Sequence, residues 1–358
     1  MKILLILFIT FLSQISYSQN QITKSPLSIS GYLETYYQFD LNRPSDHVRP
    51  DFIYSHNRHN EINLNLGLIK ANYATDEVRA NFALATGTYM NANYVAEAGV
   101  LKNIFEANTG IKLSKTKNLW FDAGIFSSHL GFEGALSKDC WTLTRSILAD
   151  NSPYFESGAK ITYTSDNEKL LISGLALNGW QRITRVNGNS LISFGTQLQY
   201  KITENILFNY SSFIGTDKPD SARLDRIFHN FYSIISLTNK LGITLGFDIG
   251  TEEKATDLNE VNTWYSPVAI IKYKFSDKWT IAARGEYYQD KNGVIIAIGT
   301  TNGFQTSGFS FNVDYIPASN VLIRLEGRTL NSKDKIFIKN NKEINSNSFV
   351  TGSMAYSF

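Results

Sequence analysis

A single cysteine, Cys140, excludes an intramolecular disulfide and a Cys-rich zinc site. Charge is scarce. Asp, Glu, Lys and Arg together make up 18% of the 358 residues and nearly cancel at +2, so no bias points to nucleic acid as a partner. Long hydrophobic runs are missing as well. The stretch Ile3 to Leu12 supplies about half of the ~20 apolar residues that a spanning helix needs. Gly293 to Val313 carries no charge, but Gly, Thr, Ser and Asn interrupt it, including the turn-like Thr300-Thr301-Asn302-Gly303. There is no Walker motif, dinucleotide fingerprint or HExxH, so nothing marks a nucleotide enzyme or a zinc hydrolase and no cofactor is expected.

What is present begins at the N-terminus. Lys2, the short apolar core and the small-residue site Ser16-Tyr17-Ser18 form the pattern of a cleaved signal peptide over residues 1–18. The mature chain is expected to start near Gln19, and no Cys at the cleavage point calls for a lipid anchor. An exported chain without spanning helices is either soluble or a barrel.

Periodicity decides between them. Val78, Ala80, Phe82 and Leu84 alternate with Glu77, Arg79, Asn81 and Ala83. Leu241, Ile243, Leu245, Phe247 and Ile249 oppose Thr244, Gly246, Asp248 and Gly250, and Val321, Ile323 and Leu325 oppose Leu322, Arg324, Glu326 and Arg328. In Glu61–Leu68 the same rule puts Ile62, Leu64, Leu66 and Leu68 on the apolar face. A soluble sandwich alternates too, but its strands run to about 5–6 residues, whereas these reach about 10–13. The polar faces are rich in Gly, Asn, Ser and Tyr and poor in Lys, which suits a wet lumen.

The connections alternate in length. Short turns fall at 74–76, 115–118, 166–168, 203–205, 239–240, 276–278 and 317–320. Long polar loops fall at 41–59, 89–101, 128–153, 181–190, 216–226, 252–262, 291–303 and 331–347. Seven turns and eight loops imply a closed, antiparallel, up-and-down transmembrane β-barrel of about 16 strands (14–18). The barrel is expected to span residues 19–358 and to lie in the lipid bilayer of the cell outer membrane. At the C-terminus Val350, Met354, Tyr356 and Phe358 share one face, as a lipid-facing last strand requires. Tyr356 and Phe358 resemble the terminal signal that the barrel-assembly machinery reads. Tyr36-Tyr37, Trp264-Tyr265, Trp279 and Tyr287-Tyr288 fall where interfacial aromatic girdles are expected.

The motifs Gly124-Ile125-Phe126, Gly131-Phe132-Glu133, Ser146, Pro153, Gly158 and Asn178-Gly179-Trp180 resemble the central signature of the β-barrel porin-2 group, the OmpL-like porins of Gram-negative bacteria. The likeness is strongest from Trp120 to Trp180. It implies a monomeric pore or a trimeric homo-oligomer, without enzyme chemistry.

Candidate functional residues follow from loop length and strand parity. Ser128–Pro153 carries His129, Glu133, Lys138, Asp139 and Arg145; folded into a 16-strand lumen, this loop would form a constriction. Parity directs Glu34, Gln38, Glu61, Arg79, Glu106, Lys112, Asp122, Glu156, Lys160, Lys272, Arg284, Glu286, Arg324, Glu326 and Arg328 inward, because Arg or Lys facing lipid costs roughly 2–4 kcal/mol at the midplane. Their signs nearly balance, so weak ion selectivity is expected. Ser127-Ser128-His129 is no catalytic triad, and His56-x-x-His59 near Asp51 is ordinary for a solvated loop, so neither a catalytic nor a metal site is expected. The favoured function is passive diffusion of small hydrophilic solutes. The alternatives are a channel specific for sugars or amino acids and a plugged structural or adhesive barrel acting through its outer loops.

Overall fold

The computed structural model describes residues 25–358, so the expected signal peptide lies outside the described residues. Sixteen antiparallel strands close into one barrel: β1 (Leu27–Asp40), β2 (Ile62–Ala74), β3 (Val78–Thr86), β4 (Ile104–Lys112), β5 (Asn118–Ser127), β6 (Phe155–Thr164), β7 (Leu170–Leu177), β8 (Ser193–Thr203), β9 (Ile206–Gly215), β10 (Arg226–Ser236), β11 (Leu241–Lys254), β12 (Asp257–Lys274), β13 (Trp279–Asp290), β14 (Phe304–Ala318), β15 (Val321–Ser332) and β18 (Ser346–Ser357). A small hairpin, β16 (Phe337–Lys339) and β17 (Lys342–Ile344), stands apart in the last loop. Closure pairs β18 with β1, so no spanning strand has an open edge.

The outer wall is apolar: Leu33, Ile69, Phe82, Leu245, Phe309, Leu325 and Met354 are all exposed. Positions between them, such as Glu34, Asn230, Ser266, Arg284, Ser310 and Thr351, are buried on the inside. Tight turns gather at one end of the barrel and long connections at the other, which in outer-membrane barrels are the periplasmic and external ends.

Three details depart from the sequence pattern. In β2 the apolar face switches sides at Asn65. Glu34 pairs with Leu66 while Thr35 pairs with Leu64, so a bulge at Asn65 shifts the register by one residue. Leu66 and Leu68 therefore point inward, where Tyr89 and Met90 of the short helix Thr88–Asn93 cover them, and Ile62 stays exposed. The expected loop 252–262 is instead a protruding hairpin. Strands β11 and β12 extend to Lys254 and Asp257 and turn through Ala255-Thr256. Water wets both faces of this extension, so its residues carry no apolar alternation to mark a strand. Trp264 and Tyr288, expected at the lipid interface, are buried inside the barrel, Trp264 stacking on Phe228. Trp279 does lie on the outer wall at the turn end, stacked on Tyr315 at 4.5 Å.

Candidate functional site: a loop seated in the lumen

Segment 128–154 lies inside the barrel. Its base is closed by a hydrogen bond from Ser128 N–H to the Tyr154 carbonyl at 3.0 Å. From there it reaches walls on several sides. His129 Nδ1 meets Glu156 of β6 at 2.8 Å, and Nε2 meets the Ser212 carbonyl of β9 at 2.8 Å. Asn230 of β10 accepts the Gly131 N–H at 3.1 Å, and Ser211 donates to the His129 carbonyl at 2.8 Å. Phe132 packs near Val268 of β12, and the Lys272 ammonium lies 4.1 Å from the Trp141 ring. Farther along, Asn312 of β14 accepts Leu143 N–H, Glu326 of β15 accepts Thr144 N–H, and Glu286 of β13 accepts Ile147 N–H. Ser137 donates to Glu34 of β1 at 2.5 Å.

The wall charges of β13–β15 are spent on this loop. Arg324 donates to the Ser137 and Cys140 carbonyls while Asp314 holds it at 2.7 Å. Arg284 bonds Thr142 Oγ1 and the Thr144 carbonyl and pairs with Glu326 at 3.0 Å. Arg328 bonds the Arg145 carbonyl and pairs with Glu286 at 2.6 Å. Arg145 turns into the loop itself, donating to the Gly134, Leu143 and Ala135 carbonyls. Glu133 accepts from Ser146 N–H and Ser146 Oγ, which in turn caps the short helix Ile147–Asp150. Parity does place Arg284, Glu286, Arg324, Glu326 and Arg328 inward, but the loop covers them and each is buried. They clamp the loop instead of facing an open pore, because guanidinium groups removed from water need hydrogen-bond and ion-pair partners.

The remaining candidates are placed differently. Lys138 and Asp139 form an exposed ion pair of 3.6 Å beside a 210 Å³ hollow at the turn end, next to Ser319 and Asn320. Arg79 pairs with Asp122, and Lys70 with Glu106, on the opposite wall. Gln38 is buried next to Thr351, and Glu61 sits at the loop-end rim with Arg58 at 2.8 Å. The neutral amides Asn230 and Asn312 were missing from the candidate residues. They stand at inward parity positions, so extending the parity argument from charged to amide side chains finds them.

His129 and Asp150 of the loop both have shifted pKa values. Burial alone would lower the His129 pKa, but the Glu156 charge and hydrogen bond and the Ser212 carbonyl outweigh it, and the value is raised. Burial raises the Asp150 carboxyl to about 7 against the opposing pull of Arg328 and Arg145. Among the described residues no Ser hydroxyl engages the His129 ring, and no three His, Cys, Asp or Glu side chains group to hold a metal.

The family model "Putative beta-barrel porin-2, OmpL-like" matches residues 26–358. The chain belongs to this porin family. Structures similar to this porin share its fold at low identity. OmpT of Vibrio cholerae in its trimer form is 10% identical with a TM-score of 0.58, covering 93% of this chain and 99% of that one. The anion-selective porin from Comamonas acidovorans is 6% identical with a TM-score of 0.61, covering 93% and 99%. The channel DcaP of Acinetobacter baumannii is 10% identical with a TM-score of 0.57, covering 93% and 97%. No curated protein matches the sequence. The porin is an outer-membrane channel.

Motifs that carried the sequence resemblance have physical roles. Gly124 of β5 sits at φ 127° directly opposite Gly158 of β6, and a side chain on either would strike a neighbouring carbonyl. Phe132 and Glu133 seat and stiffen the inward loop, and Trp180 packs edge-on against Phe213 and Phe228. Those two rings belong to an apolar cap at the loop end of the porin. Phe52 and Ile53 of the first loop, Ile296, Phe304, Phe337 and Trp264 also belong to it.

Proposed function

We propose that this porin passes small hydrophilic solutes by passive diffusion, with segment 128–154 as its constriction and no enzymatic role. One observation carries the proposal: a loop closed at its base by Ser128 and Tyr154 crosses the lumen and is clamped by β13–β15. A barrel of about 16 strands is wide enough for an aqueous channel, and a seated loop narrows it. The apolar cap supports a second reading, in which the resting barrel conducts little until its outer loops part. Wild-type conductance in planar bilayers separates the two, since an unobstructed diffusion pore passes steady current and a capped barrel opens only intermittently. Export by a leader cleaved after Ser18 and assembly into a homo-oligomer belong to the same proposal. Supporting the oligomer, a similar barrel is described in a trimer form. Mature N-terminal sequencing should begin at Gln19, and light scattering in detergent should give a multiple of the monomer mass.

A further inference from the structure

Two groups of inward-facing charges differ in their access to water. On β13–β15 the arginines and carboxylates are buried beneath the loop and mutually neutralised. On β2–β6, toward the turn end, inward side chains remain partly exposed: Lys70, Arg79, Lys112 and Lys160 among the cations, with Asn72, Asn81 and Asn108 between them. The amides form a ladder across three strands. Asn72 donates to Asn81 at 2.6 Å, Asn81 to Asn108 at 3.0 Å, and Asn108 to the Ile125 carbonyl at 2.8 Å. They contribute polarity without charge.

The carboxylates of this wall are already committed. Glu106 pairs with Lys70 at 2.5 Å, and both Asp122 oxygens accept from Arg79, at 2.6 and 2.5 Å. Among the described residues neither Lys112 nor Lys160 has a carboxylate within ion-pair distance. Lys160 lies 4.5 Å from the face of Phe126, and Arg79 lies 4.3 Å from that of Trp120. These aromatic walls leave the cations less screened than in open water, which strengthens their local field. We propose that this basic wall is the wetted face of the channel and that it makes the porin prefer small anions, such as chloride, phosphate and short carboxylates, to cations. The proposal rests on the channel reading above.

The test is the zero-current potential of the full-length porin in planar bilayers under a KCl gradient. Wild type should reverse on the chloride side. Lys112→Glu with Lys160→Gln should lower the chloride-to-potassium permeability ratio roughly twofold or more. The milder pair Lys112→Gln and Lys160→Gln should move it in the same direction if the first variant folds poorly, with heat-modifiable migration reporting the fold. Asp220→Lys, on the exposed loop 216–225, is the control and should shift it little. Cation preference in wild type, or an unchanged potential in both lysine variants, overturns the inference and leaves the channel reading standing. No current from wild type overturns both.

Discussion

The carboxylate of Glu326 accepts the backbone N–H of Thr144 at 2.5 Å, and its other oxygen holds Arg284 at 3.0 Å. One wall residue therefore fastens the loop and neutralises its neighbour. Glu326→Ala should leave the buried Arg284 partly uncompensated, a loss of about 3–5 kcal/mol for a buried pair broken on one side. The expected outcome is a folded barrel with a lower unfolding temperature in detergent and a noisier, larger conductance. Wild-type melting and conductance would show that the clamp is unimportant.

The loop should loosen as pH rises. The Ser212 carbonyl can only accept, so His129 donates through Nε2, and Glu156 draws a proton onto Nδ1. A raised His pKa gives stability that is complete below the ordinary value of about 6.5 and lost as pH climbs through the raised one. Asp150, also raised, acts with the same sign: its contribution is complete below about 4 and fades as pH rises through about 7. Conductance should therefore increase from acid to alkaline pH. His129→Gln with Asp150→Asn should flatten that slope, and a conductance that falls with pH would contradict the assignment.

The last residue completes the seam. Gly31 N–H donates to the Phe358 carbonyl at 2.9 Å, Phe358 N–H donates back at 3.1 Å, and the Phe358 ring lies over Gly31 on the outer wall. Deleting Phe358 should lower the yield of heat-modifiable barrel in the membrane fraction. Gly31→Val should do the same, because its side chain meets that ring. Wild-type yields in both variants would assign closure to the inner pairs of β1 and β18 alone.

Strand number and turn positions were legible because a lipid-facing wall forces a period of two on every spanning segment, as at Val78–Leu84 and Leu241–Ile249. Period two carries no record of an inserted residue, so the bulge at Asn65 reversed Leu66 and Leu68 unseen. Nor does it mark strands beyond the membrane, where Asp257–Asn262 is wet on both sides. The loop's length and mixed charges drew attention to 128–153, yet the partners of Arg324 and Arg328 are backbone carbonyls of that loop. Carbonyl groups are common to every residue, so such contacts leave no trace in side-chain identity. The result is a set of inward charges that clamp where parity alone suggested a lining.

The most direct test of the constriction replaces residues 129–153 with a short Gly-Ser turn. Ser128 and Tyr154 are already hydrogen-bonded at 3.0 Å, so β5 and β6 can be joined there without moving either strand. Single-channel recording should then show a conductance well above wild type, with heat-modifiable migration confirming an intact barrel. An intact shortened barrel with the wild-type conductance would contradict the account.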